Sequence, residues 1–306
     1  MSSIYGEATL IVNARAGRGV VSKNLAEICE NLDKRELGYE VRMTDGPGHA
    51  THIARETLRN GGRFLVAVGG DGTIHEVVNG MIEDDKAVNP EAVLGVVAAG
   101  TGCDFIKTFG IPPTPSHAVA HLDGNESFPI DIGKITYQQD GETRVRYFAN
   151  IAEVGLGAAV VARAERLPRW LGPTVYFFAF WMSIGKHKMT QVKVDLVDRT
   201  YEGGLNNLVV ANGQFFGGGM KIAPKAAPTD GLLDVQIEHA RKREAIAIMP
   251  KVYKGQHIPH PDIFEAKRVR LSVETERPLP IEADGEVLGQ TPATFELLKE
   301  AINLKV

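Results

Sequence analysis

The sequence predicts an α/β domain followed by an antiparallel β domain, on three observations. Over the first 128 residues, apolar runs of strand length alternate with helical patterns, the arrangement of a parallel sheet. Three of those runs end in glycine-bearing loops. Beyond residue 128, apolar and polar residues alternate with a period of two, as half-buried antiparallel strands require.

Residues 9–12 read as a first strand running into Asn13, Ala14, Arg15, Ala16 and Gly17. A helix is expected over 21–37, a strand over 39–43 and a helix over 49–60. The run at 64–68 is too short for a membrane span and meets Gly69, Gly70, Asp71, Gly72 and Thr73. A helical pattern follows, with Ile74, Val77 and Val78 on one face. A further run at 93–97 leads into Gly100, Thr101, Gly102, Cys103 and Asp104. A strand entering glycines and then a helix start brings backbone N–H groups to where an anion can sit. Asp71 among them suits a bridging Mg²⁺ or a helix cap. One such cluster alone reads as a tight turn. In parallel sheets, however, ligands bind at the carboxyl ends of strands, so three loops can converge on one site.

Pro112, Pro113 and Pro115 close this segment. In the second half Val192, Val194 and Leu196 alternate with polar residues, as do Leu233, Val235 and Ile237, and Val269, Leu271 and Val273. Helical inserts are expected near 157–167, 175–187 and 241–253. The domains are placed at 4–128 and 129–294; the stretch 295–306 could return to either and is assigned to the first.

With 24% charged residues and a net charge of −4, the 306-residue chain offers neither a nucleic-acid patch nor a polybasic membrane anchor. Cys29 and Cys103 make no disulfide framework and no zinc pattern, in keeping with a reducing cytoplasm. The N-terminus lacks the basic flank and apolar core of a signal peptide. The longest apolar window, 175–184, is about half the length of a spanning helix. A cytoplasmic protein without a transmembrane segment is expected. His117 and His121 share a helical face without a third ligand, so a solvated face is expected there.

No GxxxxGK[ST] phosphate loop occurs, and the dinucleotide fingerprint GxGxxG fails because His75 stands at its third glycine. The pentapeptide Gly69 to Thr73, with Glu76, Asn79 and Gly80, resembles the signature of the diacylglycerol kinase catalytic-domain family. That family shares its Gly-Gly-Asp-Gly element with NAD kinases and phosphofructokinases. Three further motifs choose among them. Gly100-Thr101-Gly102-Cys103-Asp104-Phe105 is similar to the family's Gly-Thr-x-Asn-Asp-Phe loop. The run from Phe216 to Pro224, continuing to Asp230-Gly231-Leu232-Leu233-Asp234, resembles its second-domain signature, and Asp284-Gly285-Glu286 resembles its catalytic Asp-Gly-Glu. The chain has Cys103 where the family usually has Asn, and His75 where it has Asn or a similar polar residue.

The resemblance implies an α/β nucleotide domain of three-layer, Rossmann-like form and a C-terminal β-sandwich, with the active site in the cleft between them. It implies an ATP- and Mg²⁺-dependent kinase acting on a hydroxyl of diacylglycerol or a related lipid. Asn13, Ala14, Arg15, Ala16, Gly17, Thr44, Gly70, Asp71, Gly72, Thr73, Ile74, His75, Glu76 and Thr101 would line the ATP site. Asp71 would serve Mg²⁺ there, and Asp284 or Glu286 would be the general base. Asp230, with the carbonyls of Ala227 and Leu232, would hold a structural Mg²⁺. The expected partners are a lipid at the inner membrane face and, as an open alternative, a second copy in a homodimer. The aromatic run Tyr176, Phe177, Phe178, Phe180 and Trp181 would line an acyl-chain cleft or touch the bilayer, with Arg163, Arg166, Arg169, Lys186 and Lys188 facing headgroups. The rival readings are an NAD kinase and a catalytically inactive nucleotide- or lipid-binding sensor.

Overall fold

A computed structural model describes residues 3–98, 103–113, 119–164, 166–168, 171, 175–240 and 242–306. The chain divides into two units, Met1–Ile132 with Leu298–Val306, and Gly133–Leu297.

The first unit runs β1 (Ala8–Val12), α1 (Val20–Asp33), β2 (Tyr39–Met43), α2 (His49–Arg59), β3 (Phe64–Gly69) and α3 (Asp71–Met81). A short hairpin, β4 (Ile82–Glu83) and β5 (Lys86–Ala87), leads to β6 (Val93–Ala98) and α4 (Phe105–Phe109). The strands pair in parallel in the order β2–β1–β3–β6, and Asn303 and Leu304 add a further parallel strand beside β6. β1, β3 and β6 are buried along their whole length, which explains their unbroken apolar runs. Leu10, Val12, Val66 and Val68 pack with Val21, Ile28 and Leu32 of α1. Ile11, Leu65 and Ala67 point the other way and are fully buried too. α2 packs on α3, where Gly80 is needed: a Cβ there would lie 2.6 Å from both the Thr51 carbonyl oxygen and the Ala54 Cβ.

α1 ends at Asp33 rather than at residue 37. Glu36 turns left-handed at φ 55°, and the Leu37 N–H closes back on the Leu32 carbonyl. That turn drops Leu37 into the core beside α1.

The second unit holds β7 (Ser127–Gln139, entering from the first unit), β8 (Glu142–Phe148), β9 (Ile151–Gly155), α5 (Leu156–Ala164) and α6 (Val175–Lys186). There follow β10 (Thr190–Asp195), β11 (Thr200–Leu205), β12 (Asn207–Ala211), β13 (Leu233–Glu238) and α7 (Lys242–Val252). β14 (Ile263–Arg268), β15 (Arg270–Thr275), β16 (Pro280–Ala283) and β17 (Glu286–Lys305) complete the chain. One antiparallel layer is ordered β14–β13–β12–β9–β16–β17; β10, β11, β15, β7 and β8 form the other, also through β17. Between them lies an apolar core that includes Phe148, Val154, Val194, Val210, Val235, Val273, Ile281 and Phe295. The outer face of the first layer carries Ile151, Val209 and Ala211, covered by α5 and α7 through Val161, Ile248 and Val252. α6 packs on α5 through Ala179, Phe180 and Ile184.

Val269 does not share the buried face of Leu271 and Val273. It is 55% exposed because it links β14 to β15, ahead of the first paired residue of β15. Among the described residues no helix is long and apolar enough to cross a membrane.

Candidate active site

In the first unit the carboxyl ends of four parallel strands lie side by side. Val12 is in register with Met43 and Val68, and Gly69 with Ala98. The residues following those strands therefore emerge along one edge of the sheet. Asn13 donates its N–H to the Val68 carbonyl at 3.1 Å, and Thr44 to the Val12 carbonyl at 2.9 Å. The Asn13 side chain accepts the Arg15 N–H at 3.1 Å and donates to Thr73 Oγ1 at 3.3 Å, tying the first loop to the start of α3. Ala14 and Ala16 are half-buried, and Arg15 and Gly17 are exposed. At Gly69 a Cβ would come within 2.3 Å of Thr73 Oγ1, so glycine is demanded by the strand-to-helix turn. At Gly70 a Cβ would meet nothing within 4 Å, which leaves its backbone open to a ligand. Thr101, Gly100 and Gly102 lie outside the described residues.

Asp71 caps a helix, but not its own. Its Oδ1 accepts the N–H groups of Asp104 and Phe105 at 2.9 and 3.0 Å, and its Oδ2 accepts that of Asp104 at 3.0 Å. The Cys103 thiol lies 3.6 Å from Oδ1. Burial, then the Asp71 charge, pushes that thiol well above its usual range, so it stays protonated as a weak donor. The β3–α3 and β6–α4 loops are thus held together by one carboxylate.

Four of the residues expected at the nucleotide are buried or engaged within the protein. Ile74 and His75 are buried, His75 Nε2 lying 3.4 Å from the Asn79 amide. The Glu76 carboxylate accepts the N–H groups of Gly48 and Ala50 at 2.8 and 3.0 Å, capping α2. Thr73 is buried as well, its Oγ1 accepting from the Asn13 side chain.

In the second unit Asp284 and Gly285 form the two-residue turn between β16 and β17, both left-handed, at φ 50° and 86°. Asp-Gly is the pair that such a turn prefers. The Asp284 carboxylate accepts three backbone N–H groups, from Ala149 at 2.9 Å, Asn150 at 2.9 Å and Ile151 at 3.1 Å. Its own N–H donates to the Ile151 carbonyl at 2.8 Å. Glu286 opens β17 and is half-buried.

Sequence reasoning missed three acids. Glu153 on β9 and Glu282 on β16 are directly opposite in register, 1% and 0% exposed. Glu153 accepts from the Asn207 amide at 2.8 Å, and Glu282 accepts the Gly285 N–H at 2.9 Å. Each keeps a second oxygen with no hydrogen-bond partner among the described residues. Burial raises the Glu153 carboxyl to about 7, and burial with the Glu153 charge raises Glu282 well above the carboxylate range. Glu238, raised to about 8 by burial and the Glu153 charge, completes the group. The available signal was an acid inside each of two apolar strand runs, at 151–155 and 280–283.

Glu153 and Glu238 also border an apolar cavity of about 100 Å³ in the second unit, walled by Leu156, Val160, Phe180, Phe216, Ile248 and Val252 among others. On α6, Phe178, Trp181 and Met182 face outward, 44–48% exposed.

The Asp230 group does not fit a cation. Asp230 Oδ2 lies 2.7 Å from Lys267 Nζ, and its Oδ1 accepts the Leu232 N–H at 3.0 Å. The Ala227 carbonyl accepts the N–H groups of Thr229 and Asp230 at 2.7 and 3.1 Å. Lys267 also lies 3.0 Å from Asp234. The Lys267 ammonium already neutralises the Asp230 and Asp234 carboxylates that a divalent ion would need.

The first unit thus carries loops along one edge of a parallel sheet, and the second is a β-sandwich that bears an Asp-Gly turn and an apolar cavity. Residues 7–135 match the diacylglycerol kinase catalytic domain, and residues 150–306 match the YegS C-terminal NAD kinase beta sandwich-like domain. The chain belongs to the diacylglycerol kinase catalytic-domain family. It is 30% identical over 302 residues to a diacylglycerol kinase of Bacillus subtilis, covering 97% of this chain and 95% of that one. It is 30% identical over 280 residues to a protein named "Probable lipid kinase YegS-like" of Xanthomonas oryzae, covering 90% and 88%. A solved diacylglycerol kinase structure from Bacillus anthracis superposes with a TM-score of 0.72 at 24% identity, over 98% of this chain and 96% of that one. The protein is a lipid kinase.

Proposed function

We propose that the chain transfers the γ-phosphoryl group of ATP to a hydroxyl of diacylglycerol or a closely related lipid. The observation that carries this reading is the row of strand ends in the first unit, where Asn13–Gly17, Thr44 and Gly70–Gly72 emerge together. Phosphoryl transfer needs positioning and charge stabilisation more than covalent chemistry. Open backbone at Gly70 and the N-terminus of α3 would receive phosphate oxygens. Asp71 would orient the hydration shell of a bound Mg²⁺, whose part is to neutralise phosphate charge.

Of the two acids at the Asp-Gly-Glu turn, Asp284 is engaged by three N–H groups and sets the shape of the turn. Glu286, one residue beyond it, is then the favoured acceptor of the hydroxyl proton. The apolar cavity suits part of an acyl chain. The outward face of α6, with exposed Arg166 and Lys188 in the adjoining segments, would rest on an anionic membrane surface.

Incubation with γ-labelled ATP and a panel of diacylglycerol, phosphatidylglycerol, ceramide, a sphingoid base and NAD tests the reading. Label is expected in diacylglycerol or a near relative. Label confined to NAD, or absent everywhere despite nucleotide binding, would overturn it in favour of one of the two rivals.

A further inference from the structure

Two buried acids face each other across one strand pair, and the wiring of their oxygens is matched. On β9, one oxygen of Glu153 is held by the Asn207 amide and the other has no hydrogen-bond partner among the described residues. On β16, one oxygen of Glu282 is held by the Gly285 N–H and the other is likewise without a partner. The residues are direct register partners, and among the described residues no cation lies in a salt bridge with either carboxyl. Two ionised carboxylates cannot stand opposite one another without solvent or a counter-charge. One proton between the two unpartnered oxygens satisfies both.

We infer that Glu153 and Glu282 hold a single proton in common, and that through this pair Glu282 is a positioning residue for the Asp284-Gly285 turn. The connection is short. Glu282 grips the turn from one side through Gly285, while Asp284 is gripped from the other by the N–H groups of residues 149–151, which enter β9 two residues before Glu153. Glu153 also borders the apolar cavity, so the pair joins the cavity wall to the acid turn. The raised affinities of both carboxyls for protons agree with this geometry. The other charged and titratable groups around the pair are Glu238 on β13 and Asp284 in the turn. From α5, packed over β9 and β16, the described basic side chain is Arg163, which is engaged with Ser183. Loss of the shared proton at high pH would set two anions against each other and loosen the turn.

The positioning part rests on the reading of the Asp-Gly-Glu turn as catalytic; the shared proton does not. The two are therefore tested separately on the full chain. Infrared spectroscopy with ¹³C-labelled glutamate should show protonated-carboxyl absorption at neutral pH that falls in the Glu153→Gln, Glu282→Gln double variant to the part contributed by Glu238. A band unchanged in the double variant, or absent from the parent, overturns the pair. In kinetics, Glu282→Leu should lower kcat by roughly tenfold to a hundredfold with the KM for ATP unchanged. Glu282→Gln, which still accepts from Gly285 and donates to Glu153, should restore most of it. Glu153→Gln supplies a permanent donor and should move the alkaline limb of the kcat profile to higher pH. Parental kcat in Glu282→Leu, or an unmoved alkaline limb in Glu153→Gln, overturns the positioning role. A retained band in a protein that phosphorylates no lipid counts against the kinase reading and leaves the shared proton standing.

Discussion

Asp71 opens α3, yet its carboxylate accepts the backbone N–H of Asp104 with both oxygens, at 2.9 and 3.0 Å. A residue at the start of one helix thus fixes the start of another, 33 positions later in the chain. Asp71→Ala should cost about 1 kcal/mol of stability through the lost cap and should abolish turnover. Asp71→Asn, which can still accept N–H groups, should recover stability but not activity. Thermal melts with a lipid-phosphorylation assay separate the two losses, and full activity in either variant would exclude Asp71 from the chemistry.

Glu286→Gln should lower kcat by about a hundredfold or more if Glu286 accepts the hydroxyl proton. Its fold should be intact, because Glu286 lies half-buried at the head of β17. Asp284→Ala removes the acceptor of three backbone N–H groups, so it should lower both the melting temperature and kcat. A variant at 286 with normal kcat would move the base to Asp284.

The pH dependence of stability follows from Glu153. Its folded value, about 7, lies above the ordinary 4.5, so the native state binds the proton more tightly than the unfolded chain. The stability it contributes is fully present below about 4.5 and is lost as pH rises through about 7. His257 works at the other end. Burial lowers it below 6.5, so its contribution is present above that pH and lost as pH falls through its depressed folded value. Melting temperatures across this range should show both declines, and Glu153→Gln should flatten the alkaline one.

Lys267 offers a test of the Asp230 group. Lys267→Met leaves Asp230 and the largely buried Asp234 without their ammonium and should destabilise the protein by about 1–3 kcal/mol. EDTA should leave the melting temperature of the parent protein unchanged. A large drop with chelator would restore a structural cation to this site.

The proposed membrane contact lies on the outer face of α6 and is open to test. Replacing Phe178, Trp181 and Met182 together with Ser should reduce sedimentation with anionic vesicles, since all three side chains are already exposed and little folding energy is at stake. Charge reversal at Arg166 and Lys188 should weaken the same binding, most clearly at low salt. Unchanged co-sedimentation in both variants would place the contact elsewhere.

Much of this was legible without coordinates. Strands β1, β2 and β3 and helices α2 and α3 follow from local apolar periods, and β13 from strict alternation. The Asp-Gly turn is a local pairing of residue type with left-handed backbone. Other features were not legible because their causes are distant in sequence. Glu76 resembles a site residue but caps α2 from 26 and 28 positions away. The aromatic run on α6 divides between Phe180, buried, and Phe178 and Trp181, exposed, by which helical face meets α5.

The strand and helix order of most of the first unit, the antiparallel character of the second, the family and the kinase class were determined by the sequence alone, since strand and helix periods and glycine turns are written within a few residues. Only the tertiary structure decided that Asp71 braces a second loop, that Lys267 answers Asp230 and that Glu153 meets Glu282. Each of these depends on strand register and loop closure, which bring residues dozens to more than a hundred positions apart within a hydrogen bond or into direct opposition.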